Sequence, residues 1–426
     1  MGRRQWVRAS AAAGLGTVAC SGPDKPTPGP IEPDHAVATY EMDEHEAIAW
    51  VWAPQARRAT IVFVNLDTGE ERNSDPFDLG AAGTANVLLT GLEAGTSYRW
   101  HARFDSGTTT EWSHFRTGPR LDDAADLRFL FGADIDTNPL YNSPIFDHMT
   151  RSGADFLVSL GDVPYSDFAP GVTTTEAYRD RHREVRARPG LQELLSAMGA
   201  YAIYDDHEVF CNWGGFYVAE AARIATGLAV WDEWFPVRPS LGDTRYRAWR
   251  WGSLVGLFML DTRRYRSDPG TPDVVGKTML GAAQRDWLLD RLSASPTAFK
   301  IVLTTIPLDF GNTGEDWSVY RTERDEILNA IRARDIRGVV FLSADQHWFA
   351  AHHHSSGFFE YQVGPVAQFT RIPGALRPEI VARVEALNYG DIVIRAQPEP
   401  VLEFTARDAQ GAPLFTETLT PDYMNR

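Results

Sequence analysis

The amino-acid sequence predicts an α/β domain, in which helices flank layered sheets, preceded by a small all-β domain. Two observations predict this arrangement. Between residues 35 and 117, short segments alternate apolar and polar residues and are separated by Gly-rich turns, which is typical of antiparallel strands. After residue 126, nearly continuous apolar runs alternate with helix-like stretches, which is typical of strands buried on both faces of a sheet.

The composition is that of a large globular protein with an acidic surface. The 426 residues are 43% hydrophobic and 12% aromatic, so the chain can bury a sizeable core and is not intrinsically disordered. The net charge of −16 argues against a protein that binds nucleic-acid grooves, because such proteins neutralise phosphates with clustered positive charge. With Cys20 and Cys211 as its two cysteines, the chain builds neither a disulfide framework nor a Cys-rich zinc site.

Residues 1–33 predict an export signal followed by a Pro-rich tether. Arg3 and Arg4 precede a mildly apolar run, too short to span a bilayer, and together they resemble a twin-arginine signal. Residues 17–20 resemble a lipobox in which Cys20 would be lipidated; the alternative is an ordinary signal peptide with an incidental cysteine. We therefore expect export to the bacterial periplasm or cell envelope, with a lipid on Cys20 as the contact with the membrane.

Residues 34–119 predict a small β-sandwich domain. Its strands are expected at residues 47–52, 60–64 and 85–89. The segment 92–100 resembles the corner of a fibronectin type III-like sandwich, where a buried Tyr hydroxyl bonds to the backbone. Since no acid, His or Ser cluster converges here, we assign this domain no chemistry.

Residues 120–426 predict the second, α/β domain. An amphipathic helix is expected at 281–292, and a closing hairpin is expected with strands at 401–407 and 414–419. The six apolar runs that predict buried strands are 127–131, 156–160, 201–204, 255–260, 301–303 and 339–342.

Polar side chains follow almost every one of these runs, namely Asp134, Asp136, Asp162, Asp205, Asp206, His207, Asp261, Asp345 and His347. Ligands in α/β sheets bind at the carboxyl ends of strands, so these side chains should meet in one crevice. Any single aspartate could instead cap a helix or fill a turn. Carboxylates about 4 Å apart repel by roughly 1 to 4 kcal/mol, so the whole set predicts bound cations or strongly raised pKa values. Oxygen-rich ligands suit Ca²⁺, Mn²⁺ or ferric iron.

Four ordered blocks resemble the alkaline phosphatase D (PhoD-like) metallophosphatase family. The block Gly-Asp-Val-Pro-Tyr is also similar to the Gly-Asp-x-x-Tyr element of purple-acid-phosphatase-like enzymes. The resemblance runs from about residue 127 to the C-terminus, includes the N-terminal β-sandwich, and implies a metal-dependent phosphoric ester hydrolase. The blocks are 161–165, 204–209 with Asn212 and Trp213 behind it, 260–266 and 343–347.

Three positions depart from the family pattern. Asp134 stands where the family places a Cys ligand of iron, so an oxygen replaces a thiolate and the identity of the metal pair stays open. Tyr204 replaces a Trp, and Ala344 replaces a Gly in the last block. The resemblance therefore implies two or more metal ions, with Ca and Fe(III) as the main candidates and Mn as a further one.

The resemblance implies roles for individual residues. Asp162 would bridge two metals, and Tyr165 would bind ferric iron as a phenolate, unless it simply covers the core. His207 would protonate the leaving group or stabilise the transition state, and Arg263 would bind phosphate bidentately, unless it pairs with Asp261. The remaining metal ligands would be Asp134, Asp206, Asn212, Asp345 and His347, with Asp136, Asp205 and Asp261 beside them.

The sequence therefore predicts an exported phosphoesterase that hydrolyses phosphate mono- or diesters, in small molecules or polymers, by two-metal activation of water. Two alternatives stay open. One is a phospholipase-D-like diesterase acting on lipid head groups or cell-wall polymers. The other is a calcium-binding surface lipoprotein without catalytic activity.

Overall fold

The computed structural model describes residues 35–137, 143–309, 314–373, 377–422 and 424. The predicted signal peptide, the Pro-rich tether and the lipid attachment site at Cys20 lie outside the described residues. Among the described helices, none combines the length and the apolar character that crossing a lipid bilayer requires.

The described chain forms three sheets and six α-helices. The strands are β1 (Ala36–Tyr40), β2 (Glu46–Trp52), β3 (Arg58–Asn65), β4 (Glu71–Asn73), β5 (Phe77–Asp78), β6 (Thr84–Thr90), β7 (Ser97–Phe104), β8 (Ser113–Arg116), β9 (Leu127–Gly132), β10 (Phe156–Ser159), β11 (Gly199–Ala202), β12 (Arg247–Trp251), β13 (Val255–Met259), β14 (Phe299–Leu303), β15 (Val339–Ser343), β16 (Phe349–His353), β17 (Phe359–Gln362), β18 (Ile380–Val384), β19 (Asn388–Arg395), β20 (Val401–Asp408) and β21 (Pro413–Leu419). The helices are α1 (Ile145–Thr150), α2 (Thr175–Arg186), α3 (Pro189–Ala197), α4 (Ala221–Trp234), α5 (Gly281–Ala294) and α6 (Arg321–Ala333).

Two large sheets contain most of the strands. The nine-stranded sheet has the order β21-β20-β19-β9-β10-β11-β1-β2-β6, and the seven-stranded sheet has the order β12-β13-β14-β15-β17-β16-β18. Strands β9, β10 and β11 run parallel to one another, as do β13, β14, β15 and β17. The carboxyl ends of the parallel strands in each sheet therefore lie at one edge.

The two large sheets face each other because their strands are apolar on both sides. In β13, Leu257 and Met259 join the core shared with the nine-stranded sheet, whereas Phe258 joins the core under α5 and α6. This split follows from the alternation of side chains along a strand. On the opposite face of the nine-stranded sheet, Leu191 of α3 lies beside Leu157 and Ala200. The result is a helix–sheet–sheet–helix sandwich.

The six apolar runs are all strands of these two sheets, so the prediction of buried strands is confirmed. The predicted strand 201–204 lies two residues earlier, as β11. The helix expected at 281–292 is α5, and the expected C-terminal hairpin is formed by β20 and β21.

The N-terminal segment forms a sandwich of two sheets, as predicted. β1, β2 and β6 form one side, and β4, β3, β7 and β8, with β5 on β3, form the other. Trp100 joins the two sides by donating from Nε1 to Thr39 Oγ1 at 2.8 Å. The hydroxyl of Tyr98 accepts a hydrogen bond from the backbone N–H of Glu93 at 2.8 Å, which is the corner that segment 92–100 predicts.

Backbone pairing crosses the boundary predicted between residues 119 and 120, and that boundary stays a prediction. β1 pairs with β11 in parallel, with Tyr40 opposite Ala200, so one N-terminal sheet continues the nine-stranded sheet. A buried ion pair also crosses it, because Arg247 donates from Nε and an Nη atom to Glu41 Oε1 at 3.0 and 2.9 Å. The Arg247 and Glu41 side chains are 3% and 1% exposed.

We predict that Arg247→Ala destabilises the whole protein. Removing one partner of a buried ion pair leaves the other charge unpaired and typically costs about 3 to 5 kcal/mol. The matched control is Arg58→Ala, because Arg58 forms an exposed pair with Asp78, and such pairs contribute about 0 to 1 kcal/mol. Denaturant unfolding measures both free energies of unfolding. Equal values for the two variants would contradict a stabilising role of the buried pair between Arg247 and Glu41.

Candidate metal centre

The predicted ligands lie at the carboxyl ends of strands from both large sheets. Strand β9 leads to Asp134, β10 leads to Asp162, and β11 leads to Asp206. From the opposite sheet, β15 leads to Asp345 and His347. All five side chains are buried, and none is more than 7% exposed. The fold therefore brings together aspartates that are far apart in the sequence.

The backbone is unusual at the same positions. Of the seven non-glycine residues with positive φ in the described chain, five are predicted ligands: Asp134 (62°), Asp162 (57°), Asn212 (58°), Asp345 (71°) and His347 (63°). A left-handed conformation costs of order 1 kcal/mol or more and persists where the surroundings enforce it, often at functional sites. Aspartate and asparagine tolerate it better than most residues.

Three groups of buried side chains each hold their ligand atoms within 4.8 Å of one another. Asp162 belongs to all three groups, which is the position that a bridging carboxylate requires. The groups are Asp134, Asp162 and His347; Asp162, Asp206 and His207; and Asp162, Asp205, Asp206 and Asp345.

The phenol of Tyr165 contacts two members of the first group. The Tyr165 hydroxyl donates to Asp134 Oδ1 at 3.2 Å and lies 2.8 Å from His347 Nε2. Nε2 of His347 is in turn 3.6 Å from Asp134 Oδ1. The polar end of Tyr165 therefore faces two predicted ligands, although the ring itself is buried.

The orientation of His347 suits a metal ligand. Its Nδ1 lies 2.7 Å from the Phe369 carbonyl oxygen, which can only accept a hydrogen bond, so Nδ1 carries the proton. This tautomer leaves the lone pair on Nε2, which points toward Asp134 and Tyr165. A second partner that fixes the ring in this way is typical of metal-binding histidines.

Asn212 lies beside Asp206. Its backbone N–H donates to Asp206 Oδ2 at 2.5 Å. The amide is satisfied when its nitrogen faces the carboxylates, at 3.2 Å from Asp206 Oδ2 and 2.9 Å from Glu315 Oε2. The amide nitrogen, and not the oxygen, therefore faces the Asp206 carboxylate, and the role of Asn212 as a ligand stays a prediction.

Arg263 has different partners from the predicted ones. Its side chain is fully buried, and Nε and an Nη atom donate to the two oxygens of Asp205, each at 2.6 Å. Another Nη atom donates to Glu315 at 2.5 Å. Toward Asp261 it offers only its backbone N–H, at 3.0 Å. The side chain therefore does not form the alternative salt bridge to Asp261, and carboxylates already neutralise the guanidinium that the resemblance assigns to phosphate.

The three aspartates expected beside the ligands have partners of their own. Both oxygens of Asp205 accept from Arg263, and Oδ1 also accepts from Thr305 at 2.6 Å. Asp136 pairs with Arg181 at 3.2 Å. The Asp261 carboxylate accepts from the backbone of Arg263 and Arg264 and from the Tyr204 hydroxyl. These contacts hold the surrounding loops in place.

The donor set fits hard cations. Three buried carboxylate oxygens accept no hydrogen bond from the described residues: Asp134 Oδ2, Asp162 Oδ2 and Asp206 Oδ1. Leaving a buried acceptor unsatisfied costs about 1 to 3 kcal/mol, and more when the group is charged. Oxygen ligands of this kind are those that Ca²⁺ and other hard cations prefer.

The electrostatics point the same way. Burial raises the pKa of Asp134 to about 7. Burial and then the charge of Asp206 raise the pKa of Asp162 well above its usual range, and burial also raises that of Asp345 strongly. Burial opposes ionisation of Asp206 as well, but the charges of Arg263 and His207 prevail and lower its pKa. Bound cations would stabilise the charged form of every one of these groups.

His207 lies within reach of Asp162 and is held by Asp167. Its Nδ1 is 2.8 Å from Asp167 Oδ1, and its ring stacks on Tyr165 with the ring centroids 4.2 Å apart. Burial alone would lower the pKa of His207, but the charges of Asp206 and Asp167 raise it to about 10. The second ring nitrogen, Nε2, is left for a ligand or a substrate.

Two buried glutamates of the site were not among the predicted residues. Glu208 accepts from the backbone N–H groups of Val163 and Asp205, each at 2.9 Å, and so ties two ligand loops together. Its place within block 204–209 could have indicated it. Glu315 pairs with Arg266 at 2.9 Å and also contacts Arg263. No strand or motif near Glu315 gives a signal in the sequence.

Comparison with known proteins places the chain in a family. A family profile described as PhoD-like phosphatase matches residues 138–402. Alkaline phosphatase D of Bacillus subtilis (strain 168) is 26% identical over 249 residues, which are 47% of this chain and 42% of that protein. The match thus spans less than half the length of that relative.

Two solved structures share the fold. The structure of PhoD superposes with a TM-score of 0.77 at 19% identity and covers 90% of this chain and 88% of that chain. Purple acid phosphatase PPD1 from yellow lupin seeds superposes with a TM-score of 0.66 at 13% identity and covers 90% and 74%. The predicted metallophosphatase-type α/β sandwich is therefore confirmed. Because the family profile covers more than half of its residues, the chain belongs to the PhoD-like phosphatase family.

Proposed function

We propose that the protein is a metal-dependent phosphoesterase that hydrolyses phosphate mono- or diesters with a metal-activated water. The observation that carries the proposal is that Asp162 is shared by all three groups of buried ligand atoms. Family membership supports the same reaction class. The unsatisfied oxygens of Asp134 and Asp162 need cations, and metal ions held by a shared carboxylate would be close enough to act together on one phosphate.

The ligands divide around Asp162. Asp134, Tyr165 and His347 would hold a first metal ion, and Asp206, Asn212 and Asp345 would hold a second one. The phenol and imidazole favour Fe(III) as the first ion, and the oxygen ligands favour Ca²⁺ as the second, with Mn²⁺ as a further candidate. Bound metal ions would supply Lewis-acid polarisation of the phosphate and lower the pKa of water to roughly 7.

His207 is the residue we assign to the leaving group. Asp167 holds Nδ1, so the proton for the leaving oxygen would be carried on Nε2. The flat contact with Tyr165 fixes the plane of the imidazole beside the shared carboxylate. Asp167 therefore acts as a positioning residue that keeps His207 in one orientation and favours its protonated form.

We predict that metal-loaded protein hydrolyses nitrophenyl phosphate, bis(nitrophenyl) phosphate or both, and that Asp162→Asn lowers either rate by at least about 100-fold. Loss of a group that merely orients a ligand typically costs about 10- to 100-fold, and Asp162 reaches every ligand group itself. Asp180→Asn is the matched control, because Asp180 is exposed on α2 and pairs with Arg183, and it should keep wild-type activity.

The ratio of the two rates distinguishes the alternatives. A strong preference for the bis-ester would favour a diesterase acting on lipid head groups or cell-wall polymers. If metal-loaded protein hydrolyses neither ester, the proposed function is overturned in favour of a calcium-binding surface protein. In that case Asp162→Asn would lower the melting temperature without any activity to lose.

We propose that the protein is exported through the twin-arginine route and is lipid-anchored at Cys20. The support is the pair Arg3-Arg4 before the apolar run and the lipobox-like residues 17–20. Replacing Arg3-Arg4 by Lys-Lys should leave the precursor in the cytoplasm, measured by cell fractionation, and normal secretion would refute the route. Cys20→Ala should release the mature protein from the membrane fraction.

A further inference from the structure

Among the predicted site residues, none offers a free guanidinium to the phosphate, because Arg263 is already paired with Asp205 and Glu315. Two other buried arginines that contact residues of the site are also paired. Arg181 pairs with Asp136 at 3.2 Å, and Arg266 pairs with Glu315 at 2.9 Å. A phosphate that binds here would need a cationic side chain that is not already neutralised.

The segment 366–371 passes along the first ligand group. Val366 and Ala367 donate from their backbone N–H groups to the carbonyls of Ala133 and Asp134, each at 3.0 Å. Two residues further on, the Phe369 carbonyl accepts from His347 Nδ1 at 2.7 Å. The segment is therefore fixed to the same loops that hold Asp134 and His347.

Arg371 stands at the end of this segment with its charge unneutralised. Its backbone N–H donates to the His347 carbonyl at 2.9 Å, and its guanidinium carbon lies 5.6 Å from the centre of the Phe369 ring. The side chain is partly exposed, so it can meet a substrate. Within the described parts of the chain, no carboxylate lies within ion-pair distance of this guanidinium.

These contacts place Arg371 beside the first ligand group. The Phe369 ring, which the guanidinium faces, lies 5.0 Å from the His347 ring, measured between ring centroids. The backbone of Arg371 is bonded to the same ligand, because its N–H donates to the His347 carbonyl.

We propose that Arg371 binds the phosphate group of the substrate, in the role that the sequence assigned to Arg263. A planar guanidinium matches two phosphate oxygens and stays charged at every working pH. Phe369 would hold the guanidinium through its ring while its carbonyl holds His347, so one short segment would position both groups. This inference rests on the proposed function for the identity of the ligand.

The test is calorimetric titration of inorganic phosphate into metal-loaded protein. Arg371→Ala should weaken phosphate binding by about 10- to 100-fold, which is typical for loss of a charge-assisted hydrogen bond. Arg371→Lys should fall between the wild type and Arg371→Ala, because it keeps the charge but loses the bidentate geometry. The matched control is Arg377→Ala, since Arg377 is exposed and lines a separate cavity of about 660 Å³ that contains no predicted ligand.

The metal content of each variant is measured alongside. Unchanged phosphate affinity in Arg371→Ala would overturn the inference. Loss of the metal ions together with phosphate binding would also overturn it, because Arg371 would then act by supporting His347. If the wild-type protein binds phosphate and Arg371→Ala does not, but no ester is hydrolysed, the inference stands and the proposed function fails.

Discussion

The main constraint on the site is the repulsion between aspartates that the fold buries together at the carboxyl ends of strands from both large sheets. Arg263 relieves part of this repulsion, because it pairs with Asp205 and Glu315 and lies 3.4 Å from Asp206 Oδ1. The remaining oxygens of Asp134 and Asp162 accept no hydrogen bond within the described chain. These buried carboxylates must therefore be protonated or bind a cation. Because Asp162 belongs to every group of ligand atoms, bound cations can stabilise several carboxylates at once.

The fold is built to hold this unfavourable arrangement. Because the strands are apolar on both faces, the two sheets pack together. The polar residues that follow the strands are therefore brought close to one another. Five of the ligand residues have a left-handed backbone conformation. Hydrogen bonds to the Glu208 carboxylate and to the Phe369 carbonyl hold the loops that carry them. The strain at these positions is supported by a core that extends from the N-terminal sheet, through the β1–β11 pairing, to the C-terminal hairpin.

The pattern of apolar and polar residues was enough to predict the strands and the aspartates that follow them, because a buried strand and its end are both visible in consecutive residues. It was not enough to predict partners. The aspartate nearest to Arg263 in sequence is Asp261, yet the side chain pairs with Asp205, 58 residues away. Glu315 and Arg371 follow no motif, since only the tertiary fold brings them to the site. The continuity of the N-terminal sheet with the nine-stranded sheet was missed for the same reason.

The most direct test of the central claim is elemental analysis of the protein purified from its own cell envelope, beside the Asp162→Asn variant prepared in the same way. Asp162 is the carboxylate common to all three ligand groups. We expect more than one tightly held metal ion per wild-type chain and a clear loss of metal in the variant. Wild-type protein without any bound metal would contradict it, as would a variant that keeps the full complement.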